Sequence, residues 1–299
     1  MAEASRLLAF EQGTEARARI QAAVCRSCLE LTDYFAAAEA GEAAVRLAEE
    51  AQAFDVAGLA LLDLATAESR IRRYESALLH FARYFDGLST YTAARCMEGT
   101  ALQRMGDTLT RAGRHAEALE RYGAARRWYE RFGAEQCVLE CARAMIRIHL
   151  DRGEPGEAVS LLGECSRYAA AHQGDRAFGA DHLLDRAYYL FAMRRHAESV
   201  QAASGALELA DDRLAQQSEA QLLLCRNALS QNKREEALSF ALAARVCAID
   251  GRLYELEFEA SELLFRLLRE GGIELLQALE PDFAAAGVNL FQYLPERLL

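Results

Sequence analysis

Three prolines in 299 residues, Pro155, Pro281 and Pro295, and sparse β-branched side chains leave little to interrupt helices or to build strands. No run of about 18 apolar residues occurs, so no stretch reads as a membrane-spanning helix. The opening MAEASRLLAF carries an early acid and lacks the apolar centre of a signal peptide. Catalytic signatures are missing too: there is no HExxH, GxSxG or P-loop GxxxxGK motif, and no GxGxxG follows a strand pattern. Basic charge is outweighed, with 34 Lys and Arg against 45 Asp and Glu, a net charge of -11. That balance argues against nucleic acid or an anionic membrane as the partner. Together these absences lead us to expect an all-α, non-enzymatic, cytoplasmic chain.

Ala, Leu, Glu and Arg dominate the composition, and a hydrophobic content of 52% is ample for a core. The eight cysteines are too few for a disulfide scaffold in a chain this long and read as reduced thiols. Cys25 and Cys28 form a CxxC, and Cys137 and Cys141 stand one helical turn apart. Both pairs lie in Ala- and Leu-rich helical sequence, where cysteine acts as a small buried hydrophobe. Neither has the second pair, knuckle or βαβ context of a zinc or redox site, so no metal and no cofactor is assigned.

The stretch Ala101 to Gly133 reads as two amphipathic helices around a turn at Ala112 to Arg114. Leu102, Met105, Gly106 and Leu109 make one apolar face, and Ala118, Leu119, Tyr122 and Ala125 make the other. Gly106 and Ala118 let the helices approach closely, and Gly113 breaks the run. The rest of the chain repeats this unit. Second helices restart at Ala77, Ala118, Ala158, Ser199 and Ala237, at spacings of 41, 40, 41 and 38. Twelve residues before each anchor stands Ala65, Gly106, Ile146, Ala187 or Cys225; seven after stands Tyr84, Ala125, Cys165, Ala206 or Ala244. The first pair admits two registers, one anchored on Ala37 and one on Ala44.

On these small-residue positions the chain resembles the tetratricopeptide repeat family in a variant with a period near 40. The family's Trp and Tyr in the first helix and its Pro after the second are mostly replaced here. The resemblance implies an α-solenoid of helix-turn-helix repeats with a right-handed superhelix. Residues 1–17 are expected as an N-terminal capping helix, and 18–280 as six to seven repeats, the last degenerate with helices at Glu255 to Arg269 and Ile273 to Leu279. Residues 281–299 are expected as an apolar cap or docking tail.

The family's first helices line the concave side. Tracing that face by spacings of i, i+4 and i+7 gives Gln103, Asp107 and Thr110, then Arg143, Arg147 and Leu150, then Leu184, Tyr188 and Phe191, then Leu222, Arg226 and Leu229. The candidate peptide-binding groove is therefore Arg143, Arg147, Leu184, Tyr188, Phe191, Leu222 and Arg226. Its apolar strip would bury side chains, and its guanidinium groups would pair with a carboxylate or phosphate. The plainer alternative packs the leucines and tyrosine against neighbouring helices and pairs the arginines along their own helix. His115 and His196 fall at equivalent turn positions, Asp181, His182 and Asp185 read as a solvated helix start, and Trp128 is expected between repeats. The function implied is a scaffold or adaptor for a protein or peptide partner. Two alternatives stand beside it: a ligand- or peptide-sensing module of a bacterial signalling system, and a self-assembling homo-oligomer using the tail Leu290 to Leu299.

Overall fold

The computed structural model describes residues 13–271, and all its regular elements in that span are helical. In chain order they are α1 (Thr14–Glu30), α2 (Tyr34–Glu50), α3 (Phe54–Arg70), α4 (Tyr74–Asp86), α5 (Glu98–Arg111), α6 (His115–Arg131) and α7 (Glu135–Asp151). There follow α8 (Pro155–Ala171), α9 (Arg176–Ala192), α10 (His196–Leu209), α11 (Leu214–Ser230), α12 (Arg234–Asp250) and α13 (Tyr254–Gly271). The chain forms two compact units, one running to Ile148 and the other from His149. In each, consecutive helices pack as antiparallel pairs, the all-α arrangement of a repeat solenoid.

The long period has a local cause. Nine of the helices, α1, α2, α3, α6, α7, α8, α9, α11 and α12, are each 17 residues long. Most joints are three-residue turns whose middle residue is left-handed: Thr32 (φ 61), Gln52 (φ 53), Arg72 (φ 65), Gly113 (φ 75), Gly133 (φ 67), Gly153 (φ 71), Arg194 (φ 58), Asn232 (φ 59) and Arg252 (φ 53). The amide after each donates back to a carbonyl five residues earlier, as in Asp33 N to Cys28 O at 2.9 Å and Leu253 N to Ala248 O at 2.7 Å. This Schellman closure satisfies the last carbonyls and starts the next helix at once. Asp33 and Asp175 cap their helices by accepting from Ala36 N and Phe178 N at 3.1 and 3.0 Å. Pro155 sits at the first turn of α8, where its missing N–H is harmless.

The small-residue pattern becomes the core. Ala37, Ala77, Ala118, Ala158, Ser199 and Ala237 are all fully buried, each at the fourth position of its helix. The register of the first pair is therefore the Ala37 one, and Ala44 is the equivalent of Tyr84 and Ala125. Cys25 and Cys225, fully buried, occupy the position of Ala65 and Ala187 on the first helix of their pairs. Burial pushes both thiols up to about 12. Gly106 shows why small residues are needed: a Cβ there would stand 2.9 Å from Tyr122 Cε1. The Tyr122 ring is 2% exposed, and its hydroxyl donates to Asp107 Oδ1 at 2.6 Å.

Three joints are longer: 172–175 and 210–213 have four residues each, and 87–97 is the longest. Residues 87–97 carry a 3-10 turn, Ala94–Met97, fastened by Asp55 of α3. Asp55 accepts from the amides of Thr92, Ala93 and Ala94 at 2.7, 2.9 and 3.1 Å and from the Thr92 hydroxyl. The buried Tyr84 hydroxyl donates to Ala94 O at 2.7 Å.

Two expectations are corrected. Residues 14–17 belong to the first helix of the array and not to a separate cap, because α1 begins at Thr14 directly after Gly13. Trp128 packs within its own pair, over Gly99, where a Cβ would meet its ring at 2.5 Å, and against Tyr129 and Phe132. The expected helix at Ile273 to Leu279 and the tail 281–299 lie outside the described residues.

Candidate functional site

The first helices of the pairs are α1, α3, α5 and α7 in the first unit and α9, α11 and α13 in the second. Of the seven groove residues, Arg143 and Arg147 stand half-exposed on α7, and the other five lie in the second unit.

Leu184 and Leu222 do not line a groove. They are 1% and 0% exposed, packed with Ala206 and Ala220 and with Ala244 and Ala260 respectively. The reason is geometric: an i, i+4, i+7 trace covers a wide helical arc, and its leading position rotates into the neighbouring pair. Tyr188, Phe191 and Arg226 remain half-buried, and two of them meet. The Arg226 guanidinium lies 6.0 Å from the Tyr188 ring centroid and pairs with Glu259 of α13 at 2.5 Å, with side chains 38% and 33% exposed. Three first helices of the second unit are thereby linked by one arginine.

The first unit holds a similar arrangement that the sequence reading missed. Asp63 of α3, its side chain only 7% exposed, receives Arg26 of α1 at 3.0 Å and Arg104 of α5 at 3.3 Å. Arg104 Nη1 also lies 3.3 Å from Thr66 Oγ1. One buried carboxylate thus orients two guanidinium groups from different helices, and the cluster keeps one net positive charge at the surface. The signal was available: Arg26 and Thr66 occupy the position of Arg147, Tyr188 and Arg226, once the first pair is read in the Ala37 register. By contrast, Gln103, Asp107 and Thr110 are committed to internal bonds with Tyr129, Tyr122 and Gly106 O at 3.0, 2.6 and 2.9 Å.

The histidines and acids sort differently from expectation. His115 and His196 do begin α6 and α10. His182 and Asp185 are 9% and 0% exposed in the middle of α9, so this is a buried stretch and not a solvated helix start. His182 Nε2 lies 3.2 Å from Ser166 Oγ. Cys25, Cys28 and Cys141 are buried as expected of small hydrophobes, and Cys137 is half-buried. Among the described residues, no group of three or more His, Cys, Asp or Glu side chains is placed to hold a metal ion, and no helix is long and apolar enough to cross a membrane.

No protein-family model matches the chain, and no curated protein matches it. Solved structures do. The apo form of the quorum sensor NprR from B. thuringiensis superposes with a TM-score of 0.62 at 14% identity, covering 96% of this chain and 81% of that one. PilF of Pseudomonas aeruginosa superposes at 0.51 with 16% identity, covering 85% of this chain and 100% of that one. The C-terminal part of a TPR repeat-containing protein from Cytophaga hutchinsonii gives 0.46 at 12% identity, covering 85% and 98%, too loose a superposition to bear on the argument. The fold is of the tetratricopeptide-repeat type.

Proposed function

We propose that this protein is a non-enzymatic scaffold that binds an extended or helical peptide of a protein partner along the first-helix face. One observation supports it: arginines on that face are fixed by contacts to neighbouring first helices while their guanidinium edges stay in solvent. In the first unit these are Arg26 and Arg104 around Asp63, and in the second Arg226 between Tyr188 and Glu259. Such groups lose little side-chain entropy on meeting a carboxylate, and an exposed pair like Arg226 with Glu259 is worth only about 0–1 kcal/mol, so exchange for a partner acid is cheap. Arg143 and Arg147 on α7 and Phe191 on α9 extend the proposal within their own units, with Leu184 and Leu222 as support beneath.

The test is selection of peptides from a random display library against the full chain, followed by fluorescence anisotropy. Arg226→Ala with Tyr188→Ala, and separately Arg26→Ala with Arg104→Ala, are expected to weaken selected peptides at least tenfold with unchanged helicity. Undiminished binding to both double variants would refute the choice of face. A second reading, a ligand- or peptide-sensing module of a signalling system, is favoured by the superposition on a quorum sensor over 96% of this chain. It calls for a discrete ligand that changes the protein's hydrodynamic radius on binding, which small-angle scattering would detect. Self-assembly through Leu290 to Leu299, outside the described residues, is a separate proposal. An unchanged mass by light scattering after removal of that segment would end it.

A further inference from the structure

The second unit contains a place where the repeat rule is broken. Five residues before the first-helix position held by Ala65, Gly106, Ile146, Ala187 and Cys225, other helices carry Ala60, Ala101, Cys141 and Ala220, all fully buried; α9 carries His182. One residue before it, others carry Leu64, Met105, Met145 and Leu224; α9 carries Arg186. Two after it stand Ala67, Thr108, Ile148 and Asn227; α9 carries Tyr189. Three polar or amphipathic side chains thus replace mostly small or apolar ones on a single face of α9, opposite α8.

These side chains border a solvent-open pocket of about 270 Å³ lined by α8, α9 and the start of α10. Its walls are apolar at Leu162 and Leu190, which are 8% and 3% exposed. Its inner end holds His182 with Ser166, 3.2 Å apart. Its mouth carries three charges. Arg195 is committed to Glu198 through a fork of two hydrogen bonds, at 2.6 and 2.5 Å, and the two cancel. Arg186 is exposed and makes no ion pair among the described residues. The remaining charge is therefore one guanidinium, over a lining of leucines with hydrogen-bonding groups beneath. Gly163 of α8 also lines the cavity, and a Cβ there would meet only Arg167 Nη1, at 4.0 Å. Gly123 holds the same position in α6, so this glycine belongs to the repeat pattern, and it leaves room for a side chain.

We propose that this cavity binds a compact organic carboxylate. Its acid group pairs with Arg186 at the mouth, its apolar body lies between Leu162 and Leu190, and its inner end meets His182 and Ser166. At about 30 Å³ per water the space equals about nine waters, which suits a molecule the size of an aromatic or branched-chain acid and not a peptide. The site is apart from the first-helix face, so either proposal can fail without the other.

The experiment is saturation-transfer NMR and calorimetry of the full chain with benzoate, phenylacetate and isovalerate, each beside its neutral amide. At least one acid is expected to bind saturably and at least tenfold more tightly than its amide. Gly163→Leu, which places a side chain in the cavity, is expected to abolish binding, and Arg186→Gln to weaken the acid tenfold while leaving the amide unchanged. Circular dichroism checks that both variants keep wild-type helicity, and Arg186→Gln, at an exposed position, carries the test if Gly163→Leu does not fold. No saturable binding by any of the three acids, equal binding of acid and amide, or unchanged binding by a folded Gly163→Leu would each overturn the proposal.

Discussion

Replacing Gly106 by alanine sets helix propensity against packing in one site. In an open helix the change gains about 1 kcal/mol. Here the new Cβ would lie 2.9 Å from Tyr122 Cε1 and 3.0 Å from Cζ, closer than side-chain carbons approach. The ring cannot yield freely, because it is 2% exposed and its hydroxyl is held by Asp107 at 2.6 Å. Overpacking of this kind costs about 1–3 kcal/mol, and a lost hydrogen bond adds about 1. The net expectation is a destabilisation of about 1–3 kcal/mol. Gly123→Ala is the matched control in the facing helix, since a Cβ there meets only Arg127 Nη1, at 3.6 Å, and it is expected to stabilise by about 0.5–1 kcal/mol. Urea unfolding followed by circular dichroism reads both as midpoint shifts of opposite sign at unchanged slope. Equal midpoints, or a more stable Gly106→Ala protein, would refute the claim that close approach accounts for this glycine.

Four further outcomes are expected. Thr32→Gly relieves a β-branched residue held at φ 61 and should stabilise by about 0.5–1 kcal/mol in the same assay, after subtracting glycine's extra unfolded-state entropy. The Thr92 hydroxyl and then the backbone amides from Thr92 to Ala94 hold the Asp55 carboxyl below its ordinary value. Its contribution is therefore complete above about pH 4, where an unfolded aspartate titrates, and is lost as pH falls through the lower folded value; Asp55→Asn should reduce the slope of the acid limb of a stability profile. Among the thiols, exposed Cys96 should alkylate in the native protein, whereas Cys25, Cys141 and Cys225, buried and pushed up to about 12, should react only on unfolding, as peptide mapping would show. Ser199→Ala installs the residue found at this position in the other repeats yet should destabilise by about 1–2 kcal/mol, because Ser199 Oγ donates to Ala187 O at 2.8 Å and accepts from the buried Asn227 at 3.0 Å.

The fold was legible because its determinants are local and recur. A small residue at the fourth position of each second helix, with partners twelve before and seven after, encodes a close helix pair, and these positions are buried throughout. The turns were less visible: Gly113 announces a left-handed residue, but Thr32, Gln52, Arg72 and Arg194 do the same work without glycine. The proposed binding face was half legible. Helical spacing picks out Tyr188, Phe191 and Arg226, which stay half-buried, but it cannot tell which edge of a wide arc turns inward, so it also includes the buried Leu184 and Leu222. It also passed over Arg26, Asp63 and Arg104, whose meeting depends on three helices and on the register of the first pair. Burial of His182 was hidden because its neighbours Asp181 and Asp185 suggest solvent, and only the packing of α8 on α9 encloses it.

Departures from a repeat rule fall into two physical kinds, and the second unit contains both. At Ser199 and Asn227 polar atoms replace apolar ones in two successive pairs, and they satisfy each other: the serine bonds the Ala187 carbonyl, the asparagine bonds the serine and Leu223 O, and His196 closes the group at 3.1 Å. Such a set leaves no space and needs no partner, so it is explained by stability alone. At His182, Arg186 and Tyr189 the replacements border an open pocket instead, with His182 3.2 Å from Ser166 and Arg186 exposed. Folding alone would favour the alanine and leucine of the sister repeats there. A residue set that departs from the sister repeats there and places a guanidinium, unpaired among the described residues, beside an apolar pocket is accounted for by the carboxylate proposed above.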